Sequence, residues 1–243
     1  MNSIKLIILC MAATMLAIRC IAQTQDKGDQ QQYVAVDCAK STNIDFADLQ
    51  TDAWLAAHQH LVDQGKQDSW ALYSVLYGDR SRCDFYAVTT YLGDEQLNGN
   101  QSIENAFQSV QRVATELWVV VDRTRIEKHR YAVVNFMHAQ DPDAYQRMES
   151  RVFKPGHQSL LDSGHRAGWA MYELVSPLGT SIPYNFGTVD FSNFLSPVPM
   201  AEAMIAANPD RDLEEMHDLL QLREHVSSQT LLLIAATEKP ESH

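Results

Sequence analysis

Two histidines each stand four residues after an aromatic residue: His58 follows Trp54, and His157 follows Phe153. Because residues four apart share one face of a helix, each imidazole is expected beside its aromatic ring. Such an imidazole can ligate haem iron or hold a polar ligand in an apolar pocket. It can also bond a group of the neighbouring hairpin while the aromatic residue packs in the core, and this structural explanation needs no ligand.

Tryptophan and tyrosine are also paired by spacing, since Tyr73 comes three residues after Trp70 and Tyr172 three residues after Trp169. Side chains three apart on a strand point to opposite faces of a sheet. In each pair, one ring therefore faces the helices and the other faces the partner sheet. Tyrosines between sheets can bind a planar ligand, although large aromatic residues more commonly just fill an interior.

Most of these residues belong to an internal repeat. Residues 58–73 (HQHLVDQGKQDSWALY) and 157–172 (HQSLLDSGHRAGWAMY) are identical at eight of sixteen aligned positions. Such a match predicts a duplicated structural unit. The repeated residues either form a site twice or are those needed to build the unit twice.

The second copy departs from the first and is the better place for a site, because it gains Pro155, His165 and the run PYNF at 183–186. Divergence of this kind is expected when one unit is specialised for a ligand and the other supports it. The candidate ligand-binding residues are His157, Trp169, Tyr172 and Tyr184, with His58 and Tyr73 as counterparts in the first copy.

The sequence indicates no metal site. His58 and His60 are two residues apart and so do not face the same side of a helix, and Ser159 replaces the second of them in the other copy. No four-ligand Cys/His cluster, nucleophile elbow, P-loop or dinucleotide fingerprint occurs. The cofactor is therefore left unassigned, with haem as the one that the aromatic–His pairs suggest.

Each copy is predicted to run strand, helix, strand, strand, helix. Apolar residues recur at helical spacing before Gly65 and Gly164, which are placed to end a helix in each copy. Pro155 interrupts the second of these helices, and a kink or restart is expected there. The strands are predicted at 33–38, 69–77 and 85–91 in the first copy and at 131–136, 168–176 and 184–191 in the second.

The last element of each copy is predicted to be a helix. In the first copy, apolar residues hold a helical period from Ile103 to Thr124, despite the β-branched run at 119–121. In the second copy, Asn208 and Pro209 are predicted to start the helix, and residues 230–235 are either its last turns or a short strand.

A right-handed crossover places the third strand of each copy between the first two and antiparallel to both. Cys38, at the end of the first strand, then lies beside Cys83, at the start of the third. We predict a Cys38–Cys83 disulfide, with two separate buried thiols as the alternative. The matching positions of the second copy, Phe136 and Ile182, form an apolar pair that suits the same contact.

The copies also share a longer pattern, which is Trp54-x3-His58-Gln59…Gly65-x4-Trp70-x2-Tyr73 and Phe153-x3-His157-Gln158…Gly164-x4-Trp169-x2-Tyr172, with Asp84-Phe85-Tyr86 and Pro183-Tyr184-Asn185 opening the third strands. A duplicated unit of this kind resembles the dimeric α+β barrel superfamily. The resemblance implies an α+β fold in which two ferredoxin-like units pack sheet to sheet as an intrachain dimeric α/β barrel. Members of that superfamily include small monooxygenases, haem-binding or haem-degrading proteins and ligand binders, so it implies a small-molecule ligand and is compatible with a homo-oligomer.

The first 22 residues are predicted to be a signal peptide. Lys5 is followed by thirteen largely apolar residues, and Cys20-Ile21-Ala22 provides a small-x-small cleavage site. Cleavage after Ala22 predicts an exported protein, periplasmic or secreted. The predicted organisation is then a disordered leader at 23–32, a first unit at 33–127 and a second at 128–243.

Charge argues against two classes of partner. The formal net charge of the 243-residue chain is −12, and removal of the signal, which carries Lys5 and Arg19 but no acidic residue, makes it more negative. An acidic surface repels phosphate backbones and anionic lipid headgroups, so neither nucleic acid nor a membrane surface is an expected partner.

Three functions remain as hypotheses. The first is an exported binder that holds a small, partly apolar molecule between its two sheets, without established catalysis. The second is a haem-binding or small-monooxygenase-type enzyme that uses His157 as iron ligand or acid–base group. The third is an interaction scaffold without a ligand.

Overall fold

Strands dominate the computed structural model of the protein, which describes residues 30–41, 51–99, 110–179, 182–195 and 198–238. All of the elements lie in one compact unit that begins at Gln32. The strands are β1 (Gln32–Ser41), β2 (Ser69–Tyr77), β3 (Phe85–Leu92), β4 (Val110–Arg123), β5 (Tyr131–Ala139), β6 (Gly168–Ser176), β7 (Phe186–Ser192) and β8 (Arg223–Ala236). The helices are α1 (Thr51–Asp63), α2 (Gly93–Gly99), α3 (Pro142–Met148), α4 (Lys154–Asp162), α5 (Met200–Ala207) and α6 (Leu213–Leu220), with a π-helical turn at Glu149–Phe153.

The eight strands close into a single barrel in the order β1-β3-β2-β8-β5-β7-β6-β4. Every neighbouring pair is antiparallel. The third strand of each copy lies between the first two, as the crossover rule predicted. The prediction that two ferredoxin-like units pack sheet to sheet is nevertheless wrong, because β4 pairs with β6 and β8 pairs with β2, so the halves are hydrogen-bonded edge to edge.

The error has its origin in the last element of each copy. Residues 110–123 form strand β4, not a helix, and the earlier part of the predicted helix lies outside the described residues. Glu116 and Trp118 are buried and two residues apart, which is strand periodicity, and the β-branched run that follows favours a strand. In the second copy the helix is short, starts from the cap Asp212, and gives way to the long strand β8.

The other predicted elements are confirmed. The strands at 69–77 and 168–176 have the predicted bounds, and Gly65 and Gly164 adopt φ angles of 68° and 74° just after α1 and α4. These left-handed angles explain why glycine ends both helices. Pro155 marks a restart, since α4 begins at Lys154 directly after the π-helical turn.

The predicted disulfide is also confirmed. Cys38 and Cys83 are bonded, with Cα atoms 5.4 Å apart, and both are buried. The bridge joins β1 to the loop that leads into β3. Phe136 and Ile182, the corresponding residues of the second copy, pack in one apolar cluster.

Apolar side chains pack on both faces of the barrel wall. Outside, α1 covers β2, and α4 packs on β6 and against α5. Inside, alternate residues of the strands point toward the barrel axis. Within the described part of the chain, no helix is long and apolar enough to cross a membrane.

Candidate functional site

The interior of the barrel contains a cavity of about 280 Å³, here called the barrel cavity. Its wall is formed mainly by inward-facing residues of all eight strands. Most of these are aliphatic or aromatic, among them Val34, Val36, Val88, Trp118, Ala132, Val134, Phe136, Val189, Phe191, Leu231 and Leu233. Polar groups reach it from Tyr73, Tyr86, Thr90, Glu116, His129, Tyr172 and Gln229.

Small residues on the inward face explain why the barrel is not filled. Ala71, Ala132 and Gly187 line the cavity beside large aromatic rings. At Gly187, a Cβ atom would lie 3.5 Å from the Trp118 ring, in ordinary van der Waals contact. Gly187 does not have a left-handed φ angle, so the backbone conformation does not require glycine here, and its effect is to leave space next to the indole.

One polar group of the cavity is a hydrogen-bonded tyrosine–histidine pair. The Tyr73 hydroxyl lies 2.8 Å from Nε2 of His129, and Nδ1 of His129 lies 3.0 Å from the carbonyl oxygen of Glu127. Because a carbonyl only accepts, Nδ1 carries the hydrogen, and the Nε2 lone pair accepts from the Tyr73 O–H. Burial lowers the pKa of His129 and raises the pKa of Tyr73, so both groups are neutral at pH 7.

A second polar group contains a buried carboxylate. Glu116 accepts hydrogen bonds from the Tyr184 hydroxyl at 2.6 Å and from Nη2 of Arg82 at 3.1 Å, both on Oε1. Nη1 of Arg82 also donates to the Tyr184 oxygen at 2.9 Å, which closes a triangle of hydrogen bonds. The Tyr184 ring stacks on Trp118, with centroids 5.9 Å apart. Burial and the Glu116 carboxylate raise the pKa of Tyr184, which keeps it a donor.

The structure separates the residues that the sequence grouped together. Tyr73 and Tyr172 line the barrel cavity and pack in the same cluster. Tyr184 lies behind the cavity wall, bonded to Glu116. His157 of α4 and Trp169 of β6 are instead on the outer side of the barrel, where their rings stack with centroids 4.9 Å apart.

The first copy repeats this outer arrangement. His58 stacks on Trp70 with centroids 4.5 Å apart and planes inclined by 6°, and its Nδ1 donates to Oε1 of Gln67 at 3.0 Å. In both copies, therefore, a helix histidine packs flat on a strand tryptophan. This is the geometry of a duplicated helix-to-sheet contact.

The ion pair between Arg166 and Asp190 lies beside His157. Asp190 of β7 contacts Nη1 of Arg166, and Nδ1 of His157 lies 3.4 Å from the same carboxylate oxygen. Burial, with the positive charges of Arg166 and Arg223, lowers the pKa of His157 to about 3. The imidazole is thus neutral at physiological pH and joins α4 to β7.

Two residues of the cavity were missed from the sequence. Glu116 follows from the alternation of β4, because a strand at this segment places it on the same face as Trp118. The incorrect helix prediction hid that signal. His129 lies in the loop before β5, and no repeat or periodic pattern marks it.

Haem does not fit the residues of this cavity. Of the described residues that line it, His129 is the only imidazole, and both of its nitrogens are already hydrogen-bonded. His157 does not line this cavity; it is 6 % exposed, its ring lies against Trp169, and its Nδ1 faces Asp190. Within the described ranges, no three His, Cys, Asp or Glu residues are grouped to hold a metal ion.

Comparison with known proteins gives structural neighbours alone. No protein-family model and no curated protein sequence matches the chain. A heme-binding protein from Thermus thermophilus is 14 % identical with a TM-score of 0.52, over 85 % of this chain and 92 % of that one. An anthrone oxidase-like protein is 13 % identical with a TM-score of 0.51, over 88 % and 96 % of the two chains.

A mutant chlorite dismutase from Candidatus Nitrospira defluvii is 12 % identical with a TM-score of 0.50, over 84 % of this chain and 92 % of that one. These neighbours confirm the resemblance to dimeric α+β barrel proteins at the level of the fold. At such low identity the likeness concerns the fold, and a fold hosts many functions.

Proposed function

We propose that the protein binds a small, largely apolar molecule with an aromatic ring system inside its barrel. The observation that carries this proposal is the barrel cavity, which is lined by aliphatic and aromatic side chains and contains about 280 Å³. An apolar cavity of about 150 Å³ holds benzene, and drug-sized ligands occupy roughly 300–1,000 Å³. The volume of the barrel cavity lies between that of a benzene site and that of a site for a drug-sized ligand, so a molecule of about two fused rings matches it.

The aromatic lining supports a ring-shaped ligand over a flexible chain. Trp118, Phe136, Tyr172 and Phe191 present ring faces and edges around the cavity. Offset stacking and edge-to-face contacts with a planar ligand add to the free energy gained from burial of its apolar surface.

Naphthalene tests this proposal by equilibrium dialysis. The wild-type protein is expected to bind it, and Gly187→Leu is expected to weaken binding at least tenfold, because the new side chain occupies the space beside Trp118. Gly187→Ala is the matched control, since its Cβ makes only ordinary contact with Trp118. Absence of naphthalene binding by the wild type, or equal affinity in a folded Gly187→Leu variant, contradicts the proposal.

The Tyr73–His129 pair favours a second candidate, an enzyme of the small-monooxygenase type whose first step removes a proton from the bound molecule. The ligand proton would pass to the Tyr73 oxygen while the Tyr73 proton passes to Nε2 of His129, which leaves a ligand anion and an imidazolium. The neutral His129 and its fixed tautomer suit this transfer. One structural neighbour is an anthrone oxidase-like protein, so the fold is compatible with an oxidase.

Deuterium exchange tests the second candidate. In D2O, the protein is expected to accelerate exchange at the acidic C–H positions of 2-tetralone, a ketone of two fused rings, as measured by NMR. Tyr73→Phe keeps the ring but removes the hydroxyl, and it is expected to lower this acceleration by about a hundredfold or more while 2-tetralone still binds. An unchanged exchange rate in Tyr73→Phe rules out the pair as the acid–base group.

We also propose that the protein is exported, as predicted from residues 1–22, which lie outside the described residues. The Cys38–Cys83 bridge supports this, because disulfides persist in oxidising compartments. Detection of the mature chain beginning at Gln23 in a periplasmic or culture fraction would test it.

A further inference from the structure

Glu116 places a carboxylate among the mostly aliphatic and aromatic residues that line the barrel cavity. Glu116 lies on β4, opposite Val36 of β1 and two residues before Trp118. Its exposed fraction is 7 %. Burial of a carboxylate is costly unless hydrogen bonds and an opposite charge compensate for it. Its presence in an apolar lining therefore calls for a physical explanation.

The known partners of Glu116 use only one of its two oxygens. The Tyr184 hydroxyl and Nη2 of Arg82 both donate to Oε1. Among the residues that the structure describes, none donates to Oε2. A carboxylate can accept about four hydrogen bonds, so this side chain keeps unused capacity at the cavity wall.

The arrangement also fixes where Glu116 points. Tyr184 is held by its stack on Trp118 and by Nη1 of Arg82, while Arg82 is adjacent to the disulfide residue Cys83. The carboxylate is thus anchored from one side. Arg82 supplies the opposite charge, so the group does not need a cationic ligand for charge balance.

We infer that Glu116 makes the barrel cavity selective for aromatic molecules that carry a neutral O–H or N–H donor, such as phenols and aromatic amines. The inference rests on the proposed function, because it names the class of ligand for the same cavity. The donor binds Oε2 while the ring lies among the apolar residues. Hydrogen bonds to a carboxylate are stronger than those between neutral groups, so the donor contributes substantially to affinity.

Three ligands of similar size test the inference by equilibrium dialysis. 2-Naphthol has a donor, 2-methoxynaphthalene has the same oxygen without a donor, and naphthalene has neither. The wild-type protein is expected to bind 2-naphthol about tenfold or more tightly than the other two. In Glu116→Leu, the three affinities are expected to lie within about threefold of one another.

Two further variants separate selectivity from folding. Glu116→Gln preserves size and a neutral acceptor, and an intermediate preference for 2-naphthol is expected. Tyr184→Phe removes a donor to Oε1 but leaves the carboxylate, so the preference should persist. Near-UV circular dichroism identifies any variant that has not folded.

The outcomes distinguish the inference from the proposed function. If the wild type binds naphthalene and 2-naphthol equally, the inference fails and the proposed function stands. A preference that survives in both Glu116 variants also overturns the inference, because another group must then accept the hydrogen bond. If the wild type binds none of the three ligands, both fail.

Discussion

At the scale of single residues, the repeated histidines and the side chains of the cavity have different roles. His58 and His157 stack on Trp70 and Trp169 on the outer side of the barrel wall. Of the polar groups of the cavity, Tyr73 and Tyr172 are aligned positions of the repeat, whereas Glu116 and His129 lie outside it. Duplication therefore preserves the helix-to-sheet contact, and we assign a packing role to both histidines.

The buried state of His157 predicts how stability depends on pH. Its pKa is lowered from 6.5 to about 3, so the unfolded chain binds a proton between these values that the folded protein excludes. Its contribution to stability is complete above pH 6.5 and is lost as the pH falls. The free energy of unfolding should drop by about 2 kcal/mol from this residue between pH 7 and pH 5.

Urea titrations at the two pH values measure this effect. The drop should be smaller by about 2 kcal/mol in His157→Gln. His138 is exposed, so His138→Gln serves as the matched control and should behave like the wild type. Identical pH dependence in the wild type and His157→Gln would mean that the folded state protonates this imidazole freely.

At the scale of elements, β4 and β8 decide the architecture. Each pairs on one side with the first strand of its own copy and on the other with the second strand of the other copy. β4 occupies a segment that was predicted to be a helix, and β8 includes residues 230–235, which were predicted to be either the last turns of a helix or a short strand. β4 also carries Glu116 and Trp118, so the strand that joins the two copies contributes to the candidate site as well.

The bridge between β1 and the loop before β3 should contribute strongly to stability. It closes a loop with a sequence separation of 45 residues. On the chain-entropy model, Cys38→Ala/Cys83→Ala is expected to lose roughly 4 kcal/mol of unfolding free energy. The measurement is urea denaturation at pH 7 without reductant.

Wild-type protein unfolded in the presence of reductant is the control for that pair of substitutions, and its refolding midpoint should approach that of the double variant. A loss of unfolding free energy below about 1 kcal/mol would show that the bridge does little to restrict the conformations of the unfolded chain.

At the scale of the whole molecule, closure removes every open strand edge from the barrel. Open edges present unpaired backbone groups and promote association. In this protein, the backbone groups at the edges of each copy are hydrogen-bonded to the other copy, because β4 pairs with β6 and β2 pairs with β8. The barrel cavity exists only because both of these strand pairs are formed.

Separate halves should therefore be unstable alone. Chains 23–127 and 128–243 are expected to aggregate or remain unfolded when expressed separately, and to form a 1:1 complex with native near-UV circular dichroism when refolded together. Size-exclusion chromatography with light scattering measures the stoichiometry. A cooperative, monomeric unfolding transition in either half would contradict this expectation.

The features that depend on local spacing could be predicted from the sequence. Strand alternation, helix-ending glycines and the restart at Pro155 follow from the preferences of neighbouring residues, and the order of the first three strands then brought Cys38 to Cys83. Tyr73 and Tyr172 were also recognised as candidates for an enclosed space. These results need only the chain near each residue and a rule of handedness.

The remaining features depend on which strands pair and on how the barrel closes. Whether residues 110–123 form a helix or a strand depends on the backbone partners that β1 and β6 supply, because the apolar spacing is compatible with both. Barrel closure then fixed which face became the interior. That is why His157 lies outside, while His129 and Glu116, which come from a loop and a misassigned segment, lie at the cavity.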